Sequence, residues 1–131
     1  MTLYTLTHAP DAFRCGIAGA PVTDWKFYDT IYTERYMRTP RENPTGYVSS
    51  SPLASVDRLK SGLLLIHGTA DDNVHLHNTM NFLDALAKKG LRHELLIQPG
   101  QMHGFTGQPQ TRLLAEQMVD FFQRQLGPME K

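Results

Sequence analysis

The chain has 131 residues, of which 40% are apolar and 20% charged. That is one domain at most, with enough apolar material for a real core, and it excludes a disordered or low-complexity polymer. Lys+Arg and Asp+Glu balance at 13 each, so the formal net charge is zero; the nearest thing to a basic patch, Lys88, Lys89, Arg92 and His93, reads as a helix ending, which argues against nucleic acid as a partner.

In chain order, residues 2–8 (TLYTLTH) read as the tail of a helix, with Leu3 and Leu6 on one face and Pro10 ending it. Residues 15–22 (CGIAGAPV) read as a strand. Trp25, Tyr28, Tyr32 and Tyr36, at spacings of 3, 4 and 4, mark one face of a helical aromatic segment. The stretch Arg38–Pro52 holds three prolines, a glycine and three consecutive serines, and is expected to be a surface loop. Residues 62–67 (GLLLIH) are apolar without alternation, as in a parallel strand covered on both faces.

A helix follows on Leu76, Met80, Leu83 and Ala87, widened by Phe82 and Leu86 and closed by Lys88, Lys89 and Gly90. Residues 92–98 (RHELLIQ) give a third strand. The last helix, from about Thr111 to Leu126, shows Leu114, Met118, Phe121 and Phe122 on one face and stops at Gly127-Pro128. No period of about 20 to 50 residues repeats, which excludes solenoids and propellers. The alternation of strand and helix predicts an α/β fold with a mostly parallel sheet of about three strands flanked by helices. Three strands leave apolar edges, so residues 1–131 are expected to be the C-terminal half of a larger domain.

The longest apolar run, Leu63–Ile66, is far short of the about twenty residues of a membrane span, so no membrane span is expected in this chain. The first residues lack the pattern of a secretory signal, and periplasmic, secreted and cytoplasmic locations all stay open. The single cysteine, Cys15, excludes a disulfide-stapled fold and paired-cysteine zinc sites.

Two segments carry candidate chemistry. His67-Gly68-Thr69-Ala70-Asp71-Asp72-Asn73-Val74-His75 runs from an apolar strand into a turn with two carboxylates, at the strand end where open α/β sheets bind ligands. For Asp72 and Asn73, capping of the next helix is the favoured role. A calcium loop fails, since Leu76 and Phe82 stand where glycine and a bidentate glutamate are needed. Zinc on His75 and His77 fails as well, for want of an HExxH pattern, so no metal and no other cofactor is expected.

The second segment, Gln98–Phe105, carries His103 between Gly100 and Gly104. Asp71, 32 residues upstream, would share its rim of the sheet. A carboxylate that holds imidazole Nδ1–H stabilises the imidazolium formed when Nε2 takes a proton, and acid followed by histidine is the α/β-hydrolase order. The nucleophile of that order is missing, because none of Ser49, Ser50, Ser51, Ser55 and Ser61 sits in G-x-S-x-G. Cys15 beside Arg14 is expected to be a structural thiol. The small-residue strand and the aromatic rings would together suit a compact apolar ring such as proline.

The runs CGIAGAPVTDWKFYDTIYTERYM, LLLIHGTADDNVH and QMHGF resemble the C-terminal part of the catalytic domain of dipeptidyl peptidases in the prolyl oligopeptidase family of serine peptidases, an α/β-hydrolase fold. The likeness runs from about Phe13 to the final helix and is loose from Arg38 to Val56.

The resemblance implies a serine exopeptidase that releases N-terminal dipeptides with proline or alanine in the second position, acting on peptides with a free N-terminus. It assigns the triad acid to Asp71 and the triad histidine to His103. The apolar pocket falls on Val22, Trp25, Tyr28, Tyr32 and Val74, and a substrate-backbone contact on Asn73. It also implies that the serine elbow, the oxyanion tyrosine and the amine-binding glutamates lie outside residues 1–131, that the isolated chain is inactive, and that a homodimer forms. Two alternatives remain at this point: an oligopeptidase or esterase of the same superfamily, and a non-catalytic fragment that self-associates through its sheet edge and aromatic stripe.

Overall fold

The computed structural model describes residues 1–104 and 106–127. Its sheet has three parallel strands, β1 (Cys15–Gly19), β2 (Gly62–Gly68) and β3 (Glu94–Gln98), in the order β1-β2-β3. Cys15 pairs with Gly62 and Gly19 with Ile66 on one side of β2; Leu64 pairs with Glu94 and Gly68 with Gln98 on the other.

The helices are α1 (Thr2–His8), α2 (Thr30–Met37), α3 (Pro44–Ser49), α4 (His77–Lys88) and α5 (Gln108–Leu126), with 3-10 turns at Trp25–Phe27 and Leu53–Arg58. Alternation along β2 builds two cores. Leu63 and Leu65 face α1, the second 3-10 turn and α4, where Leu3, Leu6, Val56, Leu59, Phe82 and Leu86 are buried with them. Leu64 and Ile66 face α5 and meet Leu114 and Phe121. A strand covered on both faces has no polar positions, which is why β2 reads as an unbroken apolar run.

The C-terminal ends of α4 and α5 follow their sequence signals. Past α4, Gly90 takes φ +65° and Leu91 N–H donates to the Leu86 carbonyl, closing the helix through a residue only glycine occupies without strain. Helix α5 starts earlier than Thr111, at Gln108, because Pro109 falls in its first turn, where a missing N–H costs nothing. Of its expected inner face, Leu114 and Phe121 are buried while Phe122 is 38% exposed. Gly127 takes φ +80° at its end, and Pro128 lies outside the described residues.

Four expectations are corrected. Strand β1 ends at Gly19, not residue 22: Ala20 turns to φ +41° and Pro21 has no N–H to continue the ladder. Strand β3 starts at Glu94, because His93 turns its Nδ1 to the Leu91 carbonyl at 3.1 Å. The aromatic segment is two pieces and not one helical face. Asp24 caps the first 3-10 turn, Tyr28 is extended, and Asp29 caps α2 by accepting from Ile31 N–H at 2.7 Å.

The fourth correction is the stretch 38–52, which contains helix α3 and is anchored inward. Asn43 caps α3 through Gly46 N–H, Pro44 opens it, Tyr47 is buried with its hydroxyl donating to the Arg38 carbonyl at 2.8 Å, and Ser51 is buried as well.

Candidate active site

Strand β2 runs out at Gly68, and the chain turns through Asp71 before α4. The turn is tied by one oxygen of one side chain: Asp71 Oδ1 accepts the backbone N–H of Asn73 at 3.0 Å and of Val74 at 2.9 Å. This overturns the capping role expected of Asp72 and Asn73. Helix α4 begins at His77 with Leu76 at its cap position and no side-chain cap bond, and the polar anchor sits one turn of chain earlier.

The loop after β3 packs directly on this turn. Thr69 N–H donates to the Gln98 carbonyl, Ala70 N–H to the Gln101 carbonyl, and Gly100 N–H to Thr69 Oγ1 at 2.8 Å. The approach is so close that a Cβ on Gly68 would overlap the Gln101 carbonyl oxygen. Glycine is therefore required where the two loops meet, for space rather than for backbone angle.

The lacing brings His103 Nδ1 to 3.0 Å from Asp71 Oδ2. The carboxylate is fully buried and the imidazole side chain 45% exposed. Burial alone would raise the Asp71 pKa. The His103 hydrogen bond, the Asn73 and Val74 N–H groups and the charge of His103 outweigh it and hold the carboxyl below the usual carboxylate range. With Nδ1 engaged, His103 Nε2 has no protein partner among the described residues, which is the arrangement of a ring ready to take up a proton on its outer nitrogen.

The remaining expected site residues gather in part. Trp25, Tyr28 and Tyr32 form a ring cluster, with centroids 5.9 Å apart for Trp25 and Tyr28, 5.5 Å for Tyr28 and Tyr32, and 6.1 Å for Trp25 and Tyr32. The Tyr28 hydroxyl donates to Asn73 Oδ1 at 2.7 Å, joining the cluster to the Asp71 turn. Val22 and Trp25 line a hollow of about 440 Å³ floored by Ala18–Pro21 and walled by α1, whereas Tyr28 and Asn73 line a separate groove beside His75 and His77. Val74 is buried, and Tyr32 lies 51% exposed outside both hollows.

Cys15 is half-buried; burial pushes its thiol up in pKa and outweighs nearby Arg14, which is not the environment of a nucleophile. Among the described residues no three histidine, cysteine or acidic side chains are grouped to hold a metal, and no helix is long and apolar enough to cross a membrane.

Sequence reasoning missed His67, the last residue of the apolar run in β2. It is fully buried, with Nδ1 at 2.7 Å from Thr79 Oγ1 and Nε2 at 2.8 Å from the Val74 carbonyl and 3.3 Å from Asp71 Oδ2. Its signal was present: a ring with two polar nitrogens at the end of a strand with no other polar position must find partners inside the protein.

A parallel α/β sheet with an acid and then a histidine on the carboxyl ends of successive strands is the α/β-hydrolase arrangement. The model of the prolyl oligopeptidase family matches residues 1–129, and the chain belongs to that family. It is 43% identical over 125 residues to a dipeptidyl-aminopeptidase B of Neurospora crassa, across 92% of this chain and 13% of that protein. A Talaromyces marneffei dipeptidyl-aminopeptidase B is 47% identical over 107 residues, across 79% and 12%. The crystal structure of Porphyromonas gingivalis dipeptidyl peptidase 4 superposes with a TM-score of 0.91 at 41% identity, covering 94% of this chain and 18% of that one. The chain thus corresponds to a small part of each relative's length, a dipeptidyl peptidase IV-like segment of the family fold.

Proposed function

We propose that residues 1–131 are part of an α/β-hydrolase domain and supply the acid and the histidine of a serine dipeptidyl peptidase, the serine coming from sequence outside them. The observation that carries this is the 3.0 Å contact between His103 Nδ1 and the buried Asp71 Oδ2, with the ring half-exposed. Asp71 fixes the tautomer with the proton on Nδ1. His103 Nε2 then takes the proton of the serine hydroxyl as that oxygen bonds to the carbonyl carbon after the substrate's second residue. It returns the proton to the departing amine as the peptide bond breaks, and water repeats the sequence to release the dipeptide.

In this reading the substrate is a peptide with a free N-terminus. Val22, Trp25, Tyr28, Tyr32 and Val74 receive a proline or alanine in its second position; mutual contact of the Trp25, Tyr28 and Tyr32 rings supports a compact apolar ring as the occupant. Asn73, whose Oδ1 is taken by Tyr28, keeps its amide donors for a substrate carbonyl. The working enzyme pairs with a second copy of itself.

The test is a graft of residues 1–131 in place of the matching stretch of the Porphyromonas gingivalis dipeptidyl peptidase 4. The graft is expected to cleave an Xaa-Pro chromogenic substrate, and His103→Ala in it to abolish turnover. A folded graft that binds a substrate-like inhibitor but does not turn over rejects the reading. The free 131-residue chain is expected to be inactive, and serine-inhibitor-sensitive turnover by it would be equally contrary.

A further inference from the structure

Strand β2 alternates its side chains between two packed faces, so the residue after Ile66 must point toward α4. That residue is His67, with no exposed side-chain surface. Burying an imidazole is costly unless both nitrogens find partners, and the partners dictate where its proton sits. Nε2 faces two oxygens that only accept, the Val74 carbonyl at 2.8 Å and the Asp71 carboxylate at 3.3 Å, so Nε2 carries the proton. Nδ1 faces the Thr79 hydroxyl at 2.7 Å. That hydroxyl has no other acceptor among the described residues, so it donates to the ring, and every polar atom in the group is satisfied by one tautomer.

Asp71 stands at the end of this chain of contacts. Two backbone N–H groups hold its Oδ1, and the planar group is held at its other oxygen by side chains. The donors that face Oδ2 complete its orientation, and among the described residues His67 Nε2–H is the one donor there besides His103. The same N–H holds the Val74 carbonyl, so one buried ring ties both ends of the 71–74 turn to the strand. In the opposite tautomer an Nε2 lone pair would confront two oxygens and push the turn away.

We infer that His67 is a positioning residue that aims the Asp71 carboxylate at His103, and that the Thr79 hydroxyl selects the ring tautomer that lets it do so. The inference rests on the reading of Asp71 and His103 as a proton relay. His67 acts only through Asp71 and touches no substrate.

Thr79→Val removes the hydroxyl while keeping a similar shape, and Thr79→Ser keeps it. In the grafted enzyme, kcat per active site is measured with sites counted by stoichiometric phosphonylation of the serine. It is expected to fall about tenfold or more in Thr79→Val and to approach about 100-fold in His67→Leu, the scale of a misplaced catalytic group, with KM within about twofold. Thr79→Ser and His67→Gln, which keeps an N–H where Nε2 lies, are expected to recover most of the loss. A merely structural role would lower the number of reactive sites and leave kcat per site unchanged, and that result overturns the inference.

An unsubstituted graft without activity would instead sink the relay reading. The inference then still faces two-bond 1H–15N correlation spectra of the 131-residue chain. His67 is expected protonated on Nε2 and His103 on Nδ1, with the His103 Nδ1 proton weakened or shifted upfield in Thr79→Val. A His67 ring protonated on Nδ1, or a His103 signal indifferent to Thr79→Val, refutes it.

Discussion

Asp71→Asn isolates the charge of the relay from the shape of the turn, and the surrounding contacts determine how the amide must sit. Placed with its carbonyl at the Oδ1 position, asparagine keeps both backbone bonds, from Asn73 N–H at 3.0 Å and Val74 N–H at 2.9 Å. Reversed, it would turn its NH2 against those two donors, at about 1–3 kcal/mol for each buried group left unpaired, whereas the first placement opposes only His67 Nε2–H at 3.3 Å, which keeps its 2.8 Å bond to the Val74 carbonyl. The amide nitrogen therefore faces His103 Nδ1 at the 3.0 Å separation now held by Oδ2. A donor there forces Nδ1 to accept, which moves the ring proton to Nε2 and removes the base. The expected fall in kcat is about 10⁴-fold, or about 5.4 kcal/mol in the activation barrier, with KM little changed. The assay is Xaa-Pro cleavage by the grafted enzyme per titrated serine. A variant within about tenfold of the parent would refute the claim that His103 depends on a carboxylate to hold its tautomer.

Three further outcomes are expected. Because the folded Asp71 carboxyl lies below its unfolded value of about 3.9, its contribution to stability is complete above that pH and is lost as pH falls through the folded value; denaturant titrations of the chain should show a smaller acid loss in Asp71→Asn than in the parent. Gly68→Ala should destabilise the chain by about 1–3 kcal/mol and part the two loops, because its Cβ would overlap the Gln101 carbonyl, whereas Gly19→Ala, with open space around the new methyl, should leave the midpoint nearly unchanged. Tyr28→Phe removes the 2.7 Å bond to Asn73, worth about 1 kcal/mol, and should raise KM about fivefold with kcat within about twofold.

Periodicity found the helices and strands wherever one physical cause dominated. Leu63–Ile66 declared a doubly covered strand because both its neighbours are apolar layers, and Leu86, Gly90 and Leu91 declared a helix end because only one backbone geometry closes it. It failed where capping interrupted an apparently continuous stripe. Trp25, Tyr28 and Tyr32 keep helical spacing in the sequence, yet Asp24 and Asp29 each start a new element and Tyr28 is extended between them. Asp71 and His103 could be named from the sequence, since both follow apolar strands. Their contact could be expected from the shared rim of the sheet, but the packing that delivers it could not be read, because it depends on Gly68 admitting the Gln101 carbonyl, a tolerance in space that leaves no periodic trace. Nor could the two hollows that divide Val22 and Trp25 from Tyr28 and Asn73.

The two oxygens of Asp71 do different work, and this couples the fold of the segment to its chemistry. Oδ1 closes the turn, and Oδ2 meets the histidines. A carboxylate so placed gains its low pKa first from the His103 bond and then from the two N–H bonds that are themselves the structure of the turn, so releasing the turn also misdirects the acid. His103 is half-exposed and, among the described residues, is bound through Nδ1 alone, so its replacement costs the fold only what that one bond to the buried carboxylate supplies. Loss of the acid should therefore reduce both stability and turnover strongly, and loss of the histidine turnover strongly but stability less, an asymmetry that a turn held by backbone contacts alone would not produce.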